Sequence, residues 1–518
     1  MLVHHFLEEW AARTPSRPVL IEANATTTFG ELDRLSNRFA HLFQRHGVAR
    51  GDRVVITLDN GVDMVAAYLG AQKAGAAAVP LPGGPRSDRL VPALADCRPQ
   101  VAVVDAATAG AERLGTALAG VPSVFVLQGS GPPVSPSPPY VDLTAALAAC
   151  PHTPLEAPCI DLDLAAIIYT SGSTGDPRGV MLTHRNFVAN ARSIVSYLRL
   201  TSADRVMCVL PFHYVYGLSL LHTHLAVGGS LVIENRSAFP NVVLNSMRDH
   251  QVTGFAGVPS TFALMLHRSS LEEVRLPHLR YVTQAGGGMA PARITEWLDR
   301  GPKADFYVMY GATEAAARLT YLPPEDLRRK LGSIGRPIPD VEIVVLTESG
   351  ERARPGEVGE LVARGANISC GYWNNAAETE RRFGPLGYRT GDLGYADDEG
   401  YLYLVGRQHD MIKVGAHRVG AKEIEDVLHE HPAVHEAAVV AAPHALLGEV
   451  PVAFVAFKEP LTDFENDVRA FCAARLAAHK VPVRVIEQRE LPKLPSAGKV
   501  DRSALRTMAA DVRTEAVS

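Results

Sequence analysis

Four short segments of this chain combine glycine, hydroxyl, charged and aromatic residues in patterns that could bind a nucleotide. In Ile167-Ile-Tyr-Thr-Ser-Gly-Ser-Thr-Gly-Asp-Pro-Arg-Gly-Val180, an apolar run opens into a loop of three glycines, four hydroxyls and a cation. Thr170, Ser171, Gly172, Ser173, Thr174 and Gly175 would turn hydroxyls and backbone N–H groups toward one point, and Arg178 would add charge, which suits a polyphosphate. The order is not that of a Walker A loop, and a flexible surface turn is the plainer reading of the run taken alone. In Gln284-Ala-Gly-Gly-Gly-Met289, Gly286, Gly287 and Gly288 either make a tight turn or leave bare backbone against which a planar ring or a carboxylate can lie. Tyr307-Val-Met-Tyr-Gly-Ala-Thr-Glu314 sets Tyr310, Gly311, Thr313 and Glu314 at a strand's end, where Tyr310 could stack on a base and Glu314 could hold magnesium. Tyr388-Arg-Thr-Gly-Asp392 offers a carboxylate that could accept from two ribose hydroxyls or cap a turn.

The elements around these segments alternate in an α/β pattern. Before residue 125, helical periodicity at 32–46 and 64–73 alternates with apolar runs at 53–58 and 101–105. The run 129–139, rich in Pro, Ser and Gly, reads as an exposed loop. Strands are expected at 165–170, 205–210, 230–234, 281–284 and 305–309, with helices at 184–198 and 260–267. After Gly335 strands dominate (341–346, 359–364, 401–405). The last hundred residues then alternate in shorter units: helix 421–431, strands 434–441 and 450–457, helix 464–479, strand 484–488.

Composition excludes several classes. At 518 residues with 47% hydrophobic and 21% charged side chains, the chain can bury a large core, and disorder or a fibrous repeat is excluded. Fifty-one basic against 56 acidic residues leave a formal charge of −5, so no bulk charge favours nucleic acid or an anionic membrane. The six cysteines are dispersed without framework or CxxC spacing, which fits reduced thiols in a cytoplasm. No membrane span or secretory leader is expected: the first 15 residues are acidic where a leader needs basic residues, and read as an amphipathic helix. The histidines, including His222 and His224, lack completing ligands at zinc spacing, and no G-x-S-x-G elbow supports a hydrolase.

In their order, these segments resemble the superfamily of adenylate-forming enzymes: acyl-CoA synthetases, stand-alone and peptide-synthetase adenylation domains, and luciferases. The likeness extends over nearly the whole chain, through Gly47-Val-Ala-Arg-Gly-Asp-Arg-Val-Val-Ile56, Leu210-Pro-Phe-His-Tyr-Val-Tyr-Gly-Leu218, Gly406-Arg-Gln-His-Asp-Met-Ile-Lys-Val-Gly415 and Leu491-Pro-Lys-Leu-Pro-Ser-Ala-Gly-Lys-Val-Asp-Arg502. The resemblance implies an α/β fold: a large N-terminal domain, residues 1–406, of two α/β layers plus a β-barrel-like subdomain, then a small mobile α+β domain, 407–518. It places ATP phosphates on residues 171–179, adenine on Gly286–Gly288 and Tyr310, the α-phosphate on Thr313, magnesium on Glu314 and the ribose on Asp392 and Arg407. Lys499 would bridge the substrate carboxylate and α-phosphate during adenylation. Rotation of the small domain would then replace it with the Lys413 segment for transfer to a phosphopantetheine thiol.

The chain departs from the family pattern in three places. Arg178 stands where lysine is usual, His409 occupies the hinge position, and Ala421 replaces a common proline. The acid is expected to meet His213, Tyr214, Tyr216 and Gly217; Tyr214, in place of the aspartate that holds an α-ammonium, disfavours ordinary α-amino acids. Glu234 is a candidate for an amine elsewhere on the acid, as in β-amino-acid enzymes of the superfamily, or else a surface cap. The thiol is expected on a separate acyl or peptidyl carrier protein, with coenzyme A as the alternative. An inert nucleotide sensor on the same fold is the remaining alternative, opposed by the presence of Glu314, Asp392, Arg407 and Lys499.

Overall fold

The computed structural model describes residues 1–85, 87, 89–128, 140–156, 159–171, 177–408, 410–415, 417–459, 461–493 and 500–510. The segment 129–139, Gly172, Ser173, Thr174, Gly175, His409 at the expected hinge, and Lys499 lie outside the described residues, as does the side chain of Ser171.

Runs of small and β-branched apolar residues build the first sheet. Its strands Ser123–Leu127, Val101–Asp105, Arg53–Thr57, Ala77–Pro80 and Leu164–Ser171 lie in that order and run parallel, and Pro177–Thr183 returns antiparallel to Leu164–Ser171. Almost every residue of the central strands is buried, as expected where helices cover both faces. A second sheet begins with the parallel strands Pro18–Glu22, Ser230–Ile233, Arg205–Cys208, Gly254–Gly257, Tyr281–Gln284 and Asp305–Tyr310. It continues antiparallel through Thr320–Leu322, Ser333–Pro337, Leu402–Arg407, Gly387–Ala396, Gly359–Gly365 and Val341–Leu346. The β-rich region expected after Gly335 is therefore hydrogen-bonded onto the parallel layer, which brings Asp392 beside the end of strand Asp305–Tyr310.

One core cluster fills the space between the layers, running from Val3 to Tyr401 and including the inner faces of helices Phe29–Arg45, Val62–Lys73, His184–Leu198 and Val215–Val227. Thr183 caps His184–Leu198: its hydroxyl accepts from the Asn186 N–H, while Asn186 Oδ1 accepts from the Thr183 N–H. A third sheet, with Ile412–Val414, Gly448–Phe457, Val434–His444 and Arg484–Glu487, carries its own core and forms the small C-terminal domain. Its helix Phe464–Ala473 ends earlier than the periodicity predicts, and its last turn tightens as the Arg475 N–H bonds the Cys472 carbonyl three residues back. Among the described residues no helix is long and apolar enough to cross a membrane.

Candidate active site

Strands Ser230–Ile233, Arg205–Cys208, Gly254–Gly257, Tyr281–Gln284 and Asp305–Tyr310 run in the same direction. The segments that leave their carboxyl ends therefore gather along one edge: Glu234, Pro211–Tyr214, Val258, Ala285–Met289 and Gly311–Glu314. That edge is where open α/β sheets bind ligands.

Tyr310 ends its strand, and its hydroxyl donates to Asp392 Oδ2 at 2.6 Å. Asp392 and Arg407 are cross-strand partners, which sets Arg407 Nε 3.2 Å from Oδ1. Asp392 is 8% exposed, yet both of its oxygens have a donor. Burial and the adjacent carboxylate push the Tyr310 hydroxyl well above its ordinary pKa, so it stays a neutral donor; the charge of Asp392 in turn raises Arg407.

Glu314 lies on a tight 3₁₀ turn, Thr313–Ala315, after which the chain folds back on itself. A Cβ at Gly311 would come 1.9 Å from the Ala317 carbonyl oxygen, so only glycine fits there. Ala316 and Ala317 take φ of 52° and 120°, the left-handed side that alanine seldom adopts. The Tyr372 hydroxyl donates to Glu314 Oε1 at 2.7 Å, and the Ser369 N–H donates to the Glu314 carbonyl at 2.7 Å. Burial and Glu314 raise the Tyr372 hydroxyl, which keeps its proton. Among the described residues no cation is paired with Glu314, so a half-buried, oriented carboxylate remains for a hard oxygen-seeking ion such as magnesium, and the donor set fits it.

The loop 172–176 joins two paired strands whose register sets Thr170 opposite Arg178 and Ser171 opposite Pro177. Arg178, expected to face phosphate, instead donates from Nη1 to Glu378 Oε1 at 2.7 Å, and both side chains are mostly covered. Burial opposes ionisation of Glu378, but Arg381 and Arg178 outweigh it and hold the carboxyl below its ordinary value. The return strand is fastened to the Glu314 side of the site by a segment not singled out from sequence. The Trp373 N–H donates to the Gly179 carbonyl at 2.7 Å, the Met181 N–H to the Gly371 carbonyl at 3.0 Å, and Ser369 Oγ to the Met181 carbonyl at 2.7 Å. Asn186 adds bonds from Nδ2 to the carbonyls of Ala366 and Ile368, at 2.8 and 2.7 Å.

Among the residues expected to meet the acid, Tyr214 sits at the start of helix Val215–Val227 with its hydroxyl against Gly286, 3.0 Å from where a Cβ would stand, and His213 precedes it, half-buried. Gly287 and Gly288 are exposed. Three neighbours are used internally. A Cβ at Gly217 would meet the carbonyl oxygens of Pro211 and Leu210 at 2.3 and 2.8 Å, so this glycine permits main chain to pack on main chain. Tyr216 is fully buried and donates to the Thr283 carbonyl at 2.9 Å. Glu234, the candidate for an amine, is held by Arg236, whose N–H and Nε meet Oε1 at 2.9 and 2.8 Å and whose Nη2 meets Oε2 at 2.8 Å; these bonds lower its pKa. An ammonium would have to displace a bidentate guanidinium there.

Lys413 is exposed on the hairpin Ile412–Val414/His417–Val419, with its N–H donating to Glu449 Oε2 at 2.8 Å. Arg418 of that hairpin pairs with Glu348 of the large domain. Over the glycine segment lies helix Ala421–Glu430 instead: Lys422 Cε is 3.5 Å from the position of a Gly288 Cβ. The structure thus brings Tyr310, Asp392 and Arg407 together, sets Glu314 on the turn that follows Tyr310, and holds the main chain of Lys413 on Glu449 with its side chain exposed.

Comparison with known proteins agrees with this architecture. The model of the AMP-binding enzyme family matches residues 7–373, and that of the AMP-binding enzyme C-terminal domain matches 423–499. The chain belongs to the AMP-binding enzyme family. It is 31% identical over 494 residues to 2-succinylbenzoate–CoA ligase of Geobacillus kaustophilus, covering 94% of each chain. It is also 31% identical over 507 residues to oxalate–CoA ligase of Arabidopsis thaliana, covering 96% of each. Among solved structures, O-succinylbenzoate CoA synthetase from Bacillus subtilis in complex with ATP and magnesium ion superimposes with a TM-score of 0.83 at 28% identity, over 97% of this chain and 98% of that one.

Proposed function

We propose that the protein activates a carboxylic acid with ATP, releasing pyrophosphate, and passes the acyl group from acyl-AMP to the thiol of coenzyme A. The observation that carries this reading is Asp392, fixed by Tyr310 and Arg407 at the ligand edge of the parallel sheet, with Glu314 oriented by Tyr372 on the turn that follows Tyr310. An acid with two acceptor oxygens beside the end of strand Asp305–Tyr310 suits the two hydroxyls of a ribose.

A carboxylate attacking the α-phosphorus of ATP meets negative oxygens, so the site must supply positive charge and in-line alignment. In this reading Thr170, Ser171 and the loop 172–175 hold the phosphates, Thr313 meets the α-phosphate, and Arg178 anchors the loop's base through Glu378. Magnesium, held through Glu314, would neutralise charge on the phosphates. A carboxylate oxygen bonds to phosphorus as the bridging P–O bond breaks and pyrophosphate leaves, with Lys499 bridging the two reactants. In the second step the thiol loses its proton, sulfur bonds to the acyl carbon, and AMP departs with the bridging oxygen. For that step the domain starting at residue 407 turns to bring Lys413 in.

The choice of coenzyme A over a carrier protein rests on relatives that are named as CoA ligases. Glu234 gives a β-amino acid no support, since Arg236 engages both of its carboxylate oxygens. The test separates the half-reactions. Lys499→Ala should nearly abolish ATP–pyrophosphate exchange while sparing thioester formation from supplied acyl-AMP, and Lys413→Ala should do the reverse. Equal loss of both steps in each variant would refute the assigned roles, and transfer to a carrier protein but not to coenzyme A would refute the acceptor.

A further inference from the structure

Arg318 follows the turn that carries Glu314 and is 3% exposed. Its partners are neutral: Nη1 donates to the Ala317 carbonyl at 3.1 Å, Nε approaches Met309 Sδ at 3.2 Å, and the guanidinium carbon lies 4.2 Å from the centre of the Tyr216 ring. Among the described residues no Asp or Glu carboxylate forms an ion pair with it. Other buried cations of this chain do have such partners: Lys73 has Asp33 at 2.5 Å, and Lys330 has Asp397 at 2.7 Å. A guanidinium removed from water without an anion is costly, and a carbonyl, a thioether and a ring face compensate only in part.

The backbone holds this side chain in place. The φ values of 52° and 120° at Ala316 and Ala317 turn the chain inward just before it, and the Arg318 carbonyl accepts from the amides of Asn190 and Asn367 at 3.3 and 2.8 Å. Its ring partner Tyr216 lies two residues beyond Tyr214 and is bonded to Thr283, on the strand that leads into Gly286. Arg318 therefore borders the elements that frame the acid side of the site.

Resting on the acid-activating reading above, we propose that Arg318 is a specificity-determining residue and that the acid carries a second carboxylate, which pairs with this guanidinium while the first is adenylated. A planar fork that is always charged matches a carboxylate in two-point contact. A monocarboxylic acid would leave the cation buried without an anion, which is the kind of mismatch that discriminates strongly.

The test is ATP–pyrophosphate exchange by the full-length enzyme on aliphatic and aryl dicarboxylic acids, each paired with the same acid bearing one carboxylate as its primary amide. The expected result is a preference of at least about a hundredfold in kcat/KM for one or more dicarboxylates over the half-amide. Arg318→Gln should collapse that ratio to within a few-fold, while Arg318→Lys should keep part of it. If Arg318→Gln does not fold, as judged by its thermal midpoint, the wild-type panel and Arg318→Lys decide alone. Half-amides or simple monocarboxylates turned over as well as dicarboxylates would overturn the inference and leave acid activation standing, as would proportionate loss on both members of a pair in Arg318→Gln. No exchange with any acid would overturn the acid-activating reading and this inference with it.

Discussion

Tyr372→Phe removes one oxygen from a buried contact and leaves the ring in place. The hydroxyl donates to Glu314 Oε1 at 2.7 Å, and Tyr372 is 4% exposed, so water cannot readily take its place. A hydrogen bond to a charged acceptor contributes about 1.5–3 kcal/mol. If Glu314 is the carboxylate that holds magnesium, the loss falls on the orientation of a metal ligand, where removal of such a partner typically costs about 10–100-fold in metal affinity. The two estimates agree, since about 1.4 kcal/mol corresponds to tenfold. The assay is ATP–pyrophosphate exchange at saturating ATP across a range of free magnesium. The variant should need at least about ten times more magnesium for half-maximal rate and should recover most of the wild-type rate at saturation, whereas Glu314→Gln should not recover at any concentration. Should Tyr372→Phe lower the thermal midpoint while its magnesium curve overlays that of wild type, Tyr372 would be a packing residue and the case for Glu314 as the metal's anchor would lose its structural support.

Two further effects follow from the backbone and the buried imidazoles. Ala317→Gly should raise stability by about 1 kcal/mol, because relief of an unfavourable φ of about 1–3 kcal/mol exceeds the added unfolded-state entropy of about 0.4–1 kcal/mol; a lower denaturant midpoint would show that φ 120° carries no strain. Burial lowers His222 to about 3 and His224 to about 4, from an ordinary 6.5, so both are neutral in the fold and charged on unfolding in mild acid. The stabilisation is complete above pH 6.5 and is lost as pH falls toward 4, with a slope of about 1.4 kcal/mol per pH unit for each histidine. His224→Gln should reduce that slope by one proton's worth in denaturation midpoints measured from pH 6.5 to 4.5, and an unchanged slope would show that His224 already charges in the folded protein.

What could be read from sequence depended on whether an element faces one environment or two. Helix His184–Leu198 has an apolar stripe, a polar face and a capping threonine, and both its ends were legible. Helix Val215–Val227 was not, because it lies between two layers with Leu218, Leu221 and Leu225 all buried, so no periodicity distinguishes its faces. The strand Pro177–Thr183 was hidden by Pro177 and Gly179, which read as loop residues until the main chain of 369–373 is seen zipped along it; a Gly179 Cβ would lie 2.8 Å from Ile167 Cγ2.

The same distinction divides the site. Tyr310 and Glu314 stood out in the sequence because a strand end followed by a glycine and a turn is written in adjacent residues, as it is at Gly286; Asp392, read there as a carboxylate at a turn, lies instead inside strand Gly387–Ala396. Tyr372, Asn186 and Arg318 were not, because their meaning lies in partners far along the chain: Tyr372 in Glu314, Asn186 in Ile368, Arg318 in Tyr216. An arginine after three alanines reads as a solvated cation, and only the fold shows it buried without an acid. A polar residue whose cost of burial is not met inside its own fold is a stronger pointer to a ligand than a motif, since a motif can persist for packing, as Gly217 shows, while an uncompensated charge has no packing reason to persist.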